Sequence, residues 1–485
     1  GSRNKTTTYS GGGVFDGTYL VEGSIILSDG IYTVMDGTTF YVEPQCENCD
    51  DIGVLESECD IFTEDRTQII LREGAVLEIG DAEFRSKCNE MWYGIIAYQG
   101  SQILVNEDPG IENALFMDAL SAITICNMQD PNYYYINQAA FVNNIFGVHE
   151  VGHLENPVND QVRNSIFDSK SPLLKEPYTN HISHTAIVME SQHHALNYEF
   201  NDIRNTLHGI YHTGVQNPNV TQKIIGNRFS NFQVTAIATG GGKDYTSQFN
   251  DNVLIFPENP IGSAQMPIPD YGTYTGSGQI YPGSAIFPGG VYDLNTIHGM
   301  LLSGVIEVNN NQFKGAVLSE DYTQRQIGVA SRTVYDHHGI ISGDYFDGNR
   351  LNDLHIGYMH YTADNVIGSS SQAGLAMGMI GNDFIRNKTA VVVNHPSYGP
   401  LNILNNRFIE NELAIRTNYF EFESIVKDNL FLDNDTSLSV LHDNDNLPLD
   451  LTMNCNKFQL DNIESYDRFG LFIHQGADMG NIGGQ

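Results

Sequence analysis

The sequence predicts an all-β protein, a right-handed parallel β-helix (a solenoid) with a strand-rich N-terminal cap and long corner loops. Three observations carry this expectation. The motif N-x-F-x-x-N recurs at a short period near the C-terminus. Short runs of alternating apolar residues are separated by Asn and Gly, and Gly alone contributes 47 of 485 residues. No line of the repeat holds a 3.6-residue apolar pattern long enough for a helix of about ten residues.

The repeat is clearest in Asn382-Asp383-Phe384-Ile385-Arg386-Asn387, Asn406-Arg407-Phe408-Ile409-Glu410-Asn411 and Asn429-Leu430-Phe431-Leu432-Asp433-Asn434, whose first Asn advances by 24 and then 23 residues. The N-x-F core returns at Asn227, Asn311 and Asn456, and a small residue followed by an aliphatic one comes after the Phe in Ala236-Ile237, Ala390-Val391 and Ala414-Ile415. Stacked in parallel at about 4.8 Å, such lines place Phe on Phe and Asn on Asn. Asn at the corners tolerates left-handed backbone. Leucine-rich repeats are excluded because their L-x-x-L-x-L-x-x-N line is missing. A β-propeller is excluded because its Trp-Asp punctuation cannot be supplied by a single Trp.

Along the chain, residues 1–60 read as the N-terminal cap, with short strands around Ile25, Tyr32 and Phe40, and residues 61–485 as the β-helix, whose coils start at Gln68. The stretch 239–297, rich in Gly, Pro and Tyr, reads as a large loop. Smaller excursions are expected at about 127–137, with Tyr133-Tyr134-Tyr135, and at about 150–185. The closing residues, which end on a strand line and Gly480 to Gln485, suggest a natural chain that continues further.

Charge narrows the partners. With 24 basic residues against 59 acidic ones the formal charge is −35, which excludes nucleic acid and anionic membrane as partners. No run of 18 apolar residues is present, so no membrane-spanning helix is expected. Only 17% of residues are charged, against about 25% in average proteins, which suits a folded, turn-rich chain.

The line Cys88-Asn89-Glu90-Met91-Trp92-Tyr93-Gly94-Ile95, preceded by Gln68-Ile69-Ile70-Leu71 and followed by the N-x-F coils, resembles large secreted β-helix proteins of Bacteroidetes within the pectate-lyase-like superfold. The resemblance implies an extracellular or cell-surface setting and an adhesin-like role. The wider superfold also contains polysaccharide lyases and glycosidases.

The candidate sites follow from chemistry. Aromatic faces for sugar stacking or protein contact are offered by Tyr245, Tyr271, Tyr274, Tyr281 and Tyr292 in the long loop. If the chain is an enzyme, Asp344 and Asp347 with His338 supply the carboxylates and imidazole of a hydrolase, against the competing role of Asp in corner hydrogen bonds. Arg228, Arg407 and Lys457 directly precede the repeat Phe, so alternation turns them outward as solubilising residues rather than the base of a lyase. Hard oxygen ligands for calcium come from Asp433, Asp435, Asp443 and Asp445, without an EF-hand loop. His184 and His208, one coil apart, are expected to stack on a ladder rather than bind a metal. Cys46, Cys49, Cys59 and Cys88 are candidates for disulfides within the cap, with Cys88 joining one of the other three, and for a four-thiolate zinc site as the alternative.

Together these features predict a surface module that presents its loops to a glycan or surface protein, with self-association along the solenoid as a further expectation. The alternative is a polysaccharide lyase or glycoside hydrolase acting along a groove.

Overall fold

The computed structural model describes residues 6–43, 67–106, 113–127, 133–152, 159–170, 174–175, 179, 182–189, 195–215, 222–241, 247–258, 296–303, 306–316, 325–333, 345–362, 377–393, 401–417, 424–440, 451–460 and 469–473. The described elements are all β-strands. They fall into two compact units, the first taking described residues up to Gln233 and the second those from Val234 onward. Each unit is a right-handed parallel β-helix of three sheets, with eight strands per sheet in the first unit and eight, seven and seven in the second.

One coil of the second unit shows how the sequence builds it. Thr389–Val393 lies in the first sheet, Leu401–Leu404 in the second and Arg407–Ile409 in the third. The next coil repeats them as Leu413–Thr417, Ser424–Lys427 and Leu430–Leu432. Pairing is parallel and in register, with Val391 beside Ile415, Ile403 beside Val426 and Phe408 beside Phe431. These inward side chains are 0–1% exposed, so alternate positions of each short strand fill the interior. Phe384, Phe408, Phe431 and Phe458 stack at 5.1, 4.9 and 4.8 Å between ring centroids. In the first unit Tyr19, Phe40, Phe84, Phe116, Phe141 and Phe167 do the same at 4.6–5.3 Å.

Both Asn residues of the N-x-F-x-x-N motif have a corner role. The first sits between the second and third sheets and the second between the third and first. Asn252, Asn311, Asn349, Asn382, Asn406, Asn429 and Asn456 form one ladder, in which each backbone N–H donates to the side-chain oxygen of the next Asn at 2.9–3.1 Å. The amide nitrogen donates to the same oxygen and also back to a strand carbonyl, as from Asn406 Nδ2 to Met379 O at 2.9 Å. Asn387, Asn411 and Asn434 form the other ladder. The residue before each ladder Asn adopts positive φ, including Asn405 at 56°, Asp428 at 57° and Glu410 at 54°.

The small residue of the small–aliphatic pair also has a steric cause. Thr389 pairs with Leu413 and Val391 with Ile415, while Ala390 and Ala414 drop out of the ladder at a bend of the first sheet. Gly357 occupies the same position, where a Cβ would stand 2.6 Å from Ala390 O and 2.9 Å from the Phe384 ring. A larger side chain there would strike the aromatic stack.

Three boundaries differ from the expectation. Residues 7–42 are not a separate cap but two full coils: Thr7–Ser10, Gly13–Phe15 and Thr18–Val21 pair with Ile25–Ser28, Gly30–Val34 and Thr39–Val42. Their corners use Gly17, Asp29, Gly30 and Gly37 at positive φ instead of ladder Asn, so the repeat signature is missing. Tyr133-Tyr134-Tyr135 is likewise no excursion but part of the strand Tyr133–Asn137 in the second sheet. The long 239–297 stretch begins with a regular coil, Ser247–Asn250 and Val253–Ile255, with Asn252 on the ladder, and its residues 259–295 lie outside the described ones.

The ladder makes the corner amide a stability determinant. Asn406→Ala leaves the Asn382 N–H, 0% exposed at the residue level, without its acceptor, and a loss of about 1–3 kcal/mol is expected in urea unfolding. Asn405→Gly, which keeps the left-handed corner, should change stability by less than about 0.5 kcal/mol.

Candidate functional site

The residues singled out in the sequence do not converge. Asp347 ends the strand Tyr345–Asp347, exposed at a corner between the second and third sheets, where its carbonyl accepts the Asn310 N–H at 2.9 Å. Asp344 and His338 lie outside the described residues. Asp433 and Asp435 flank the ladder residue Asn434 at the other corner, Asp433 at a φ of 51°, and Asp443 and Asp445 lie outside the described residues. Among the described residues no group of three or more His, Cys, Asp or Glu side chains comes together as a metal site. Tyr245, Tyr271, Tyr274, Tyr281 and Tyr292 all lie outside the described residues. Arg228, Arg407 and Lys457 are exposed on the outward side of the third sheet, as alternation requires.

Cys88 corrects the expected disulfide framework, because its thiol is free and exposed. It lies on a surface turn where Ser86 Oγ donates to Glu90 O at 2.6 Å and accepts the Cys88 N–H at 3.3 Å. Lys175 Nζ fixes this turn by donating to Cys88 O at 2.7 Å and pairing with Asp118 Oδ2 at 2.8 Å. Burial pushes the Asp118 carboxyl upward, against the opposing pull of Lys175. Cys46, Cys49 and Cys59 lie outside the described residues.

His184 and His208 come close together but not as a stacked ladder, because the register sets Thr185 opposite His208 and the two rings are tilted by 47°. His184 and His208 lie 5.2 Å apart between ring centroids, and Phe146 lies 5.4 Å from both His184 and His149. Burial lowers His184 to about 4 and His208 well below its usual range, the latter helped by repulsion from His184. Burial followed by Lys388 and Arg325 lowers His355 to about 4, and its Nδ1 accepts the Gln326 N–H at 3.1 Å. At neutral pH these imidazoles are uncharged packing and accepting groups.

The second sheet of the first unit holds the site that sequence reasoning passed over. In Tyr133–Asn137 the side chains of Tyr134 and Ile136 point inward and are 0% exposed, so Tyr133 and Tyr135 point outward and remain half-buried. Tyr134 Oη donates to Oε2 of Glu150 at 3.2 Å, a carboxylate fully enclosed in the solenoid interior. On the other side of the sheet the register sets Leu104, which is buried, then Tyr135, Gln161, Asn197 and Lys223 in one row, one side chain per coil. Tyr133 stands in the neighbouring row beside Gln102. Two phenols and two primary amides, each partly exposed, thus lie on the outward side of one sheet. A phenol ring packs against the C–H face of a sugar, and an amide both donates to and accepts from its hydroxyls.

A spacing in the sequence marks this strand. Ile136 precedes Phe141 by five residues, as Ile403 precedes Phe408 and Val426 precedes Phe431. Carrying that offset back from the aromatic residue identifies the inward position of the second sheet and therefore the outward Tyr135.

The buried imidazoles make stability depend on pH. Their folded values lie below the ordinary 6.5, so the unfolded chain binds more protons between the two values. Stability is fully present above about pH 6.5 and is expected to fall as the pH drops toward 4. Urea midpoints measured across that window should show a shallower loss in His208→Asn.

No protein-family model matches the chain, and no curated protein matches it. Among solved structures it is similar to the A-module of the mannuronan C-5 epimerase AlgE4 of Azotobacter vinelandii, with 11% identity and a TM-score of 0.38 over 95% of this chain and 91% of that one. It is also similar to tailspike protein 3 of bacteriophage CBA120, with 10% identity and a TM-score of 0.24 over 93% of this chain and 56% of that one. The β-helix is established by the chain's own ladders, and neither neighbour lends it a substrate.

Proposed function

We propose that this chain is an extracellular or cell-surface β-helix module that binds glycan on an outward strand face. The single observation that carries the reading is the surface formed by Tyr133 and Tyr135, with Gln161 and Asn197 following Tyr135 in register along the second sheet. A sugar ring has an apolar C–H face and a rim of hydroxyls, and this surface offers a partner for each. The sheet holds the side chains rigid, because the inward Tyr134, Ile136, Val162 and Tyr198 of the same strands are all 0% exposed. Such preorganisation lowers the ordering cost of binding.

An extracellular setting fits the low density of charge and the net −35. It also fits the resemblance of the Cys88 to Ile95 line to secreted β-helices. Glycan binding rather than glycan cleavage is the reading favoured, since Asp347 stands exposed at a strand end and the basic residues before the repeat Phe sit on three separate strands of the third sheet.

A glycan microarray followed by titration of the strongest ligand tests the reading. Tyr135→Ala and Tyr133→Ala should each weaken binding by about tenfold, the loss of one ring contact. Their unfolding midpoints should stay near that of the parent, because both rings face outward. Unchanged affinity in both variants would sink the proposal. Release of reducing ends or unsaturated sugars during the same titrations would replace binding by catalysis.

A further inference from the structure

We propose that residues 44–66 occupy an apolar strip on the outward side of the first sheet and are tied to it by a disulfide between Cys126 and one of Cys46, Cys49 and Cys59. The inference stands independently of the glycan reading. Its first observation is a row of outward side chains that are nevertheless buried. Glu150, which accepts from the inward Tyr134, pairs with Ile125, so Ile123 and Ile125 point inward while Thr124 and Cys126 point outward. The register carries the outward position of Thr124 back through Ile96 and Ile70 to Ile26. These four residues are 0%, 4%, 1% and 4% exposed, and Ile96 packs with Cys126 and Tyr98 in an apolar cluster of its own. Thr8, the next residue of the row beyond Ile26, is exposed, and so is Arg416 at the equivalent outward position of the second unit. Burial of the three isoleucines is therefore not a property of the sheet but the mark of an occupant.

The cysteines name the occupant. Of the six in the chain, Cys88 and Cys455 are free thiols and Cys126 is disulfide-bonded, which leaves Cys46, Cys49 and Cys59 as its partners within the chain. All three fall in residues 44–66, the connection between the second and third coils. Its two ends meet where the first sheet begins, with Thr67 Oγ1 donating to Glu43 O at 3.0 Å. The strand of Cys126 lies two coils further on, about 10 Å along the stack, and the eight residues from Thr67 back to Cys59 reach about 26 Å when extended. The segment carries Ile52, Val54, Leu55, Ile61 and Phe62 to meet the isoleucine row, and eight carboxylates to face water. Forming the bond removes two protons and two electrons from the two thiols, through a mixed disulfide with an external disulfide oxidant that leaves as a dithiol. Compartments outside the cytosol supply such an oxidant, in keeping with the extracellular setting proposed above.

The test is disulfide mapping of the whole chain secreted into an oxidising compartment. The denatured protein is blocked with N-ethylmaleimide, cut after Glu and Asp, and analysed by mass spectrometry before and after reduction. Glu47 separates Cys46 from Cys49, and Glu56 and Glu58 separate Cys49 from Cys59. Cys88 and Cys455 should carry maleimide, and Cys126 should appear only in a peptide pair with one of the other three, which parts on reduction. Maleimide on Cys126, or a bond from it to Cys88, Cys455 or a second chain, would overturn the proposal. The apolar contact has its own variant, in which Gly-Gly-Ser-Gly replaces residues 44–66 and joins ends already in contact. Binding of anilinonaphthalene sulfonate should rise several-fold over the parent, and Cys126 should react with maleimide in the folded protein. Unchanged dye binding with an unreactive Cys126 would assign the isoleucine row to another occupant and defeat the inference. Cys126→Ser, which keeps the segment, should unfold at a lower urea midpoint than the oxidised parent, because the bond joins residues 67 to 80 apart in the unfolded chain. An unchanged midpoint would count against the tie.

Discussion

A chain that turns a sharp corner every few residues buries backbone N–H groups that no strand partner can satisfy. Each such group costs about 1–3 kcal/mol if left without an acceptor. In this protein the side-chain oxygen of an Asn in the next coil accepts the corner N–H, and the same amide closes back onto a strand carbonyl of the preceding coil. The arrangement is self-propagating, since each Asn satisfies one neighbour and is satisfied by the other. It also demands a fixed vertical register, because a shift of one residue would remove the acceptor from every corner and turn the inward side chains out.

The aromatic stacks and the small residues at the bend depend on that register. Phe384, Phe408 and Phe431 meet nearly face to face, with interplanar angles of 5° and 8°, because their strands are held in step by the Asn ladders on both sides. The space left beside the rings is small, so the bend of the first sheet carries small residues, as Gly357, Ala390, Ala414 and Ser437. Where the ladder uses other residues, the interior changes too. The first two coils turn on Gly and Asp, and Tyr9, Phe15, Tyr19 and Phe40 gather there in edge-to-face and stacked contacts.

The proposed binding surface is the outward side of the same device. Strand positions alternate between interior and surface, so the enclosed Tyr134 and the outward Tyr135 are consequences of one register. Rigidity in the interior gives the outward row its even spacing. The first unit also carries buried polar groups, among them the enclosed Glu150, and its buried His184 and His208 tie its stability to pH.

Much of this was legible without coordinates. The N-x-F-x-x-N period specified parallel coils, the Phe stack and the corner Asn, because each requires its own residue type at a fixed position in every coil. The nearness of His184 and His208 was readable from their offset in sequence, although the register sets Thr185 opposite His208 and tilts the rings. Three things were not. The first coils lacked the Asn signature, since Gly and Asp solved the same corner problem by backbone geometry instead. The strand at Tyr133 was concealed because three consecutive Tyr residues show no polar alternation, and only burial separates Tyr134 from its neighbours. The free thiol of Cys88 depended on the turn held by Ser86 and Lys175, a contact between residues 89 apart in the case of Lys175 and Ser86. Local sequence determined which residues pair from coil to coil, because the period is local. Which side chains from five separate coils share one outward face was decided by the tertiary structure, since coils of unequal length in sequence become equally spaced only when their strands pair.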